Sequence, residues 1–255
     1  MIAITRRVSP AIAHCELTHL ERSPIDLATA ERQHADYEAL LDRLGCRVIS
    51  LPSDPALPDS VFVEDTAVVL DQIAIITRPG AESRRAETEF IARTLERHRP
   101  LAHIEEPGTM DGGDILRVGT TIWIGETSRT NRAAIEQFRA IAGPFGYDIR
   151  CLDVFGCLHL KTAVTQVRGA NPALLVNPAW IDPAAFNGIE IIEVAAGEPM
   201  AANALLVGEI AVSSTVSPRT VRRLEEHGIR VICIDATELA KAEGGLTCCS
   251  LILEP

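Results

Sequence analysis

Two adjacent cysteines follow a glycine pair in Gly244-Gly245-Leu246-Thr247-Cys248-Cys249-Ser250, which runs straight into the apolar Leu251-Ile252-Leu253. Glycines let a backbone take positive φ and come close to a ligand. A thiol at the mouth of a strand is open on one side and rigidly held on the other, as a nucleophile should be, and cysteine is the strongest nucleophile among side chains near neutral pH. The competing interpretation is a buried terminal strand in which both cysteines act as small apolar residues.

Four further clusters carry chemistry. Leu57 to Thr66 holds three carboxylates, Asp59, Glu64 and Asp65, around an apolar triplet. If the stretch is extended, Glu64 and Asp65 face opposite ways, so one can enter a site while the other holds structure. Thr77 to Arg85 is an arginine-rich turn, suited to forking onto a substrate carboxylate or to surface ion pairs. In Gly108 to Asp114, Asp111 precedes two glycines, in a ligand-approaching turn or a plain one. In Cys157-Leu158-His159-Leu160-Lys161-Thr162 a strand would put Cys157, His159 and Lys161 on one face. His159 is then an acid–base group or a satisfied core histidine. Further ligands at zinc-like spacing are missing.

The elements that must position these groups repeat. A helix-like segment ends at a glycine and a β-type run follows, at Gly45, Gly146 and Gly228, with weaker copies at Arg99-Pro100 and Asn187-Gly188. Glycine there is a left-handed helix cap. Hairpins are predicted at Thr66–Leu70 with Ile73–Ile76, at Ile115–Val118 with Thr121–Ile124, and at Ala204–Val207 with Ile210–Ser213. Helices follow over 82–97, 131–142 and 218–227. The unit is strand, strand, helix, strand, used about five times at a spacing of roughly 40 to 55 residues. Such pseudo-fivefold repetition implies one domain, residues 1–255, closed as a ring of α/β blades with ligands near the axis. A doubly wound parallel sheet is disfavoured because parallel strands need long crossovers, not hairpins.

The 255 residues carry a net charge of −11 with no basic stretch, which argues against nucleic acid or an anionic membrane as partner. Seven cysteines, an odd number at irregular spacing, argue against a disulfide framework. The first residues do not form a secretory signal, and no apolar run is long enough to span a bilayer. A cytoplasmic location is expected.

Taken in order, the strings PDSVFVED (58–65), ITRPGAESRR (76–85), DGGD (111–114), SRTN (128–131), LHLKT (158–162), AAN (201–203) and GGLTC (244–248) resemble the dimethylarginine dimethylaminohydrolases, of the guanidino-modifying (pentein) superfamily. The resemblance implies a five-bladed α/β propeller of ββαβ units. It implies Cys248 as nucleophile, His159 as general acid and base, and Asp111 as its orienting carboxylate. Cys249 is then a packing residue, as alternation along a strand also suggests. Asp65 would bind a substrate guanidinium, with Glu64 and Asp59 lining the site and Asp59 near the α-amino group. Arg84 and Arg129 would clamp the α-carboxylate, with Arg85 an alternative to Arg84. Ala242 and Leu17 complete the implied substrate-binding set, Leu17 within a lid loop at 14–21. The implied reaction is hydrolysis of Nω-methylated arginine to citrulline and an alkylamine, on a small cationic amino acid, with no metal or organic cofactor. Zn²⁺ at Cys248 and His159 would inhibit. Arginine deimination, or hydrolysis of another guanidino or ureido amino acid, is the alternative. A non-catalytic amino-acid binder has no use for the nucleophile, and a metal-binding regulator lacks the spacing. A homodimer is left open.

Overall fold

The computed structural model describes residues 1–254. Strand β1 (Ile2–Arg6), helix α1 (Leu27–Arg43) and strand β2 (Arg47–Leu51) come first. Next are β3 (Ala67–Val69), β4 (Ala74–Ile76), α2 (Thr88–Leu95) and β5 (Leu101–His103). Then come β6 (Ile115–Val118), β7 (Thr121–Glu126), α3 (Arg132–Ala142) and β8 (Asp148–Asp153). The short α4 (Leu160–Ala163) leads into β9 (Val164–Arg168), β10 (Ala173–Val176) and β11 (Glu190–Glu193). The last elements are β12 (Leu205–Val207), β13 (Ile210–Ser214), α5 (Pro218–Glu226), β14 (Arg230–Ile234), α6 (Thr237–Ala240) and β15 (Leu251–Leu253).

These strands make five three-stranded sheets of one plan: the middle strand pairs antiparallel on one side and parallel on the other. In four of them an antiparallel hairpin is followed by a crossover to a parallel third strand, as in β6-β7-β8. The fifth joins distant parts of the chain. β1 pairs parallel with β2 and antiparallel with β15, Ile2 opposite Leu253 and Ile4 opposite Leu251. The sheets are thus small and mixed, not one doubly wound parallel sheet.

Local chemistry explains the elements. Gly119 and Gly208 take positive φ (60° and 58°) at two hairpin turns, and Gly45 does so (89°) where α1 gives way to β2. Asp26 and Asn131 cap α1 and α3 by accepting the N–H groups of Thr29 and Ala134. Helix α3 buries Ile135 and Phe138 against Ile122 and Ile124 of β7. Each such side chain contributes about 1.5–3 kcal/mol by leaving water.

The fourth sheet differs from expectation. Residues 157–162 are not a strand but a bend and the first three residues of α4; the hairpin lies just beyond, in β9 and β10. Its crossover is a single 3₁₀ turn, Pro183–Phe186, not an α-helix. One strand of every sheet, β3, β6, β9, β12 and β15, borders a shared cavity of about 410 Å³. All seven cysteines are free thiols. Among the described residues no helix is long and apolar enough to cross a membrane.

At Gly45 an added Cβ meets no heavy atom within 4 Å, so only backbone strain opposes a side chain there. Gly45→Ala is therefore expected to cost about 1 kcal/mol and to lower Tm by about 2–4 °C. An unchanged Tm in thermal unfolding would show that the left-handed turn does not need glycine.

Candidate functional site

A small second cavity, about 20 Å³, is lined by Cys248, His159, Asp65, Asp59, Arg84 and Arg129. Ala242 also borders it. Glu64, Asp111 and Leu17 do not: Asp111 lies behind His159, Glu64 borders the larger cavity, and Leu17 packs on the core around Tyr37 and Cys248. The free space holds about one water. Admission of an amino acid requires the surrounding loops to open.

Cys248 and Cys249 occupy a 3₁₀ turn, Thr247–Cys249, immediately before β15, and not the strand itself. Strand alternation therefore does not separate them; packing does. Cys248 Sγ accepts the Gly245 N–H at 3.3 Å and borders the small cavity. Cys249 Sγ donates to Gly245 O and is buried in the same core as Tyr37 and Leu41. The turn is braced on two sides. Tyr37 of α1 donates its hydroxyl to Leu246 O at 2.9 Å, while Thr247 is held by Asn203 and donates to Glu64 at 2.7 Å. Neither glycine of the pair has positive φ. A Cβ on Gly244 would stand 2.0 Å from the Phe62 ring, and one on Gly245 2.4 Å from the Asn203 side chain. The pair is required by close packing, and the left-handed residue is the preceding Glu243, at φ 57°.

His159 is the residue before the first turn of α4, again not on a strand. Its Nε2 lies 3.0 Å from Asp111 Oδ2 and its Nδ1 3.8 Å from Asp65 Oδ1. Asp111 is fixed in turn by the Gly80 N–H on its other oxygen. Burial works against an imidazolium, but Asp65, Asp114 and Asp111 outweigh it and hold His159 up to about 9. Asp114, the second carboxylate of the DGGD string, had no assigned part. It accepts the Leu160 N–H at the start of α4 and two threonine hydroxyls, and so fixes the backbone that carries His159. Its spacing from Asp111 was the available signal. Gly113 makes room for the arrangement: a Cβ there would meet His159 Nδ1 at 2.7 Å. Burial, reinforced by the Glu64 and Asp65 carboxylates, pushes the Cys248 thiol far above its usual range.

Glu64 and Asp65 divide as an alternating pair would, although they sit in a 3₁₀ turn. Asp65 enters the cavity, and Glu64 pairs with Lys161 at 2.6 Å and with Thr247. Arg84 is buried and committed: Nη1 to Asp65 at 2.7 Å, Nε and Nη2 to Glu87, and Nη2 to Phe62 O. Glu87, three residues on, was not singled out by the sequence. Arg85 lies outside the cavity against Glu82 and Pro79 O. Arg129 is less committed. Its Nη2 donates to Thr18 Oγ1, while Nη1 is buried without a hydrogen-bond partner among the described residues, 3.8 Å from Asp111 Oδ2.

Asp65, Asp111 and His159 each bring one ligand atom within 4.8 Å of the others. Cys248 is not in this set, so the three-donor group is two carboxylates and an imidazole.

No family model matches the chain. It is 40% identical over 228 residues to the N(G),N(G)-dimethylarginine dimethylaminohydrolase of Pseudomonas aeruginosa, covering 89% of each protein. It is 36% identical to the enzyme of the same name from Streptomyces coelicolor, over 98% of this chain and 96% of that one. Among solved structures it is similar to the Pseudomonas aeruginosa enzyme in a cysteine-to-serine mutant complexed with citrulline, at TM-score 0.93 and 37% identity, covering 98% of this chain and 97% of that one.

Because its folded pKa is raised, the His159 charge contributes stability that is fully present below pH 6.5 and lost as pH rises through about 9. Denaturant midpoints should therefore fall over that interval, and His159→Gln should flatten the fall. Parallel pH profiles for both proteins would refute the buried imidazolium.

Proposed function

Because the chain belongs to the dimethylarginine dimethylaminohydrolase family, we propose that it hydrolyses Nω-methylated arginine, asymmetric dimethylarginine or monomethylarginine, to citrulline and dimethylamine or methylamine. The observation that carries this is the convergence of Cys248, His159 and Asp65 on one cavity, with Asp111 directly behind the imidazole.

A guanidinium is a poor electrophile because its charge is delocalised. Asp65 fixes its plane and presents the central carbon to Cys248. The free thiol is protonated; the arriving cation and the imidazolium of His159 favour the thiolate, its proton passing to water as the substrate enters. Sulfur attacks the carbon, and the C–N bond to the methylated nitrogen breaks as His159 gives that nitrogen its proton, a step typically worth about 10²–10⁴-fold. The S-alkylthiouronium that remains is attacked by water, whose proton returns to the neutral His159. The C–S bond then breaks to leave citrulline. Asp59 receives the α-amino group, and the unpartnered Nη1 of Arg129 receives the α-carboxylate. Arg84, already bonded to Asp65 and Glu87, chiefly orients Asp65. Ala242 supplies apolar contact from the cavity wall, whereas Leu17 packs on the neighbouring core. The chemistry calls on no cofactor. An inhibitory Zn²⁺ would be drawn to Asp65, Asp111 and His159, displacing the proton these carboxylates hold on the imidazole.

The same proposal takes the five sheets as blades of one propeller domain. It is supported by their common plan, by the strand that each contributes to the shared cavity, and by the pairing of β1 with β15.

Chelator-treated protein incubated with asymmetric dimethylarginine should release citrulline and dimethylamine in equal amounts. Ammonia from arginine instead would keep the mechanism and change the substrate, and no product from either would overturn the proposal. Cys248→Ser should abolish turnover and Cys249→Ser retain most of it; equal loss in both would remove Cys248 as nucleophile. Arg129→Ala should mainly raise KM, and an unaltered KM would argue against its carboxylate contact.

A further inference from the structure

Loop 15–22 has no helix or strand and is held by side chains from elsewhere. The backbone N–H groups of three consecutive residues, Thr18, His19 and Leu20, all donate to the carboxylate of Glu243. Successive N–H groups turned onto one anion form an anion-binding nest, and here the anion is a distant residue of the same chain. Further ties to distant residues run from the Glu16 N–H to both oxygens of Asp59, from Arg129 Nη2 to Thr18 Oγ1, and from Ser83 Oγ to Glu16. Asp59 and Arg129 are the residues assigned above to the two ends of the substrate, so a substrate competes with the loop for them. Glu243 is assigned no such second task.

The backbone at this position gives an independent sign. Glu243 is one of two non-glycine residues with positive φ among the described residues, and it stands between Ala242 and Gly244, all three bordering the small cavity. Glycine would hold this conformation without strain. A strained glutamate here, five residues before Cys248, is explained by what its carboxylate does.

We propose that Glu243 is a positioning residue: it catches loop 15–22 as a closed lid over the small cavity and ties that lid to the turn carrying Cys248. The inference rests on the hydrolase reading only in its kinetic consequence. Glu243→Gly is the informative variant, because it removes the carboxylate while relieving the backbone, so thermal unfolding should be unchanged or raised. Amide hydrogen exchange at Thr18, His19 and Leu20 should quicken about tenfold or more. KM for asymmetric dimethylarginine should rise by about tenfold with a smaller change in kcat. Glu243→Gln, which keeps one acceptor oxygen, should fall between. Unchanged exchange at these three amides would overturn the proposal, as would a loss confined to kcat, which would mean that Glu243 serves only the nucleophile turn. If the unaltered protein turns over no methylated arginine, the hydrolase reading fails and the exchange measurement alone decides the lid catch.

Discussion

A buried positive charge held by carboxylates is the constraint on which the rest of the site depends. Asp65, Asp111 and Asp114 outweigh the desolvation of His159 and keep its imidazole protonated. Three acidic groups packed so closely repel one another unless cations and N–H groups are supplied, and the surrounding structure supplies them. Arg84 reaches Asp65, the Gly80 and Gly113 N–H groups reach Asp111 and Asp65, and α4 offers its first N–H to Asp114. The glycines of the DGGD string are necessary because this density of polar contacts leaves no room for Cβ atoms. Removing one partner from such a network leaves a buried charge uncompensated, a strongly destabilising change.

The Cys248 side of the site is organised by the opposite condition. Cys248 is enclosed by apolar residues and faces Glu64 and Asp65, so its thiol resists ionisation. A protonated thiol and a protonated imidazole thus border the same small cavity. A substrate that brings its own positive charge changes this balance locally. In the proposed reaction, selectivity for a cation would be a matter of activation as well as of affinity.

Much of this was legible in residue order. Left-handed glycines at 45, 119, 146, 208 and 228 marked helix ends and hairpin turns because backbone sterics allow few alternatives there. What was not legible depended on contacts across the fold. Residues 157–162 alternate like a strand, yet the Asp114 carboxylate caps a helix there instead. The glycine pair before Cys248 suggested backbone freedom, but the Phe62 ring and Asn203, distant in sequence, are what exclude side chains from it. Positive φ fell on Glu243, whose identity gave no hint of it. The split between Arg84 and Arg129 likewise turned on Glu87, a buried partner that reads as one more surface glutamate.

The antiparallel pairing of β15 with β1 has a consequence for the order in which the protein becomes competent during synthesis. Leu251 follows Ser250 directly, so the turn that carries Cys248 is anchored by β15, the last strand among the described residues, and β15 is received by β1. A nascent chain can complete the β6-β7-β8 and β9-β10-β11 sheets while this strand is still within the ribosome. The carboxylates and the imidazole are then largely assembled before the sulfur has a fixed position. Under the proposed reaction the sulfur is therefore placed only after the carboxylates and the imidazole, and a chain interrupted before β15 carries no positioned thiol.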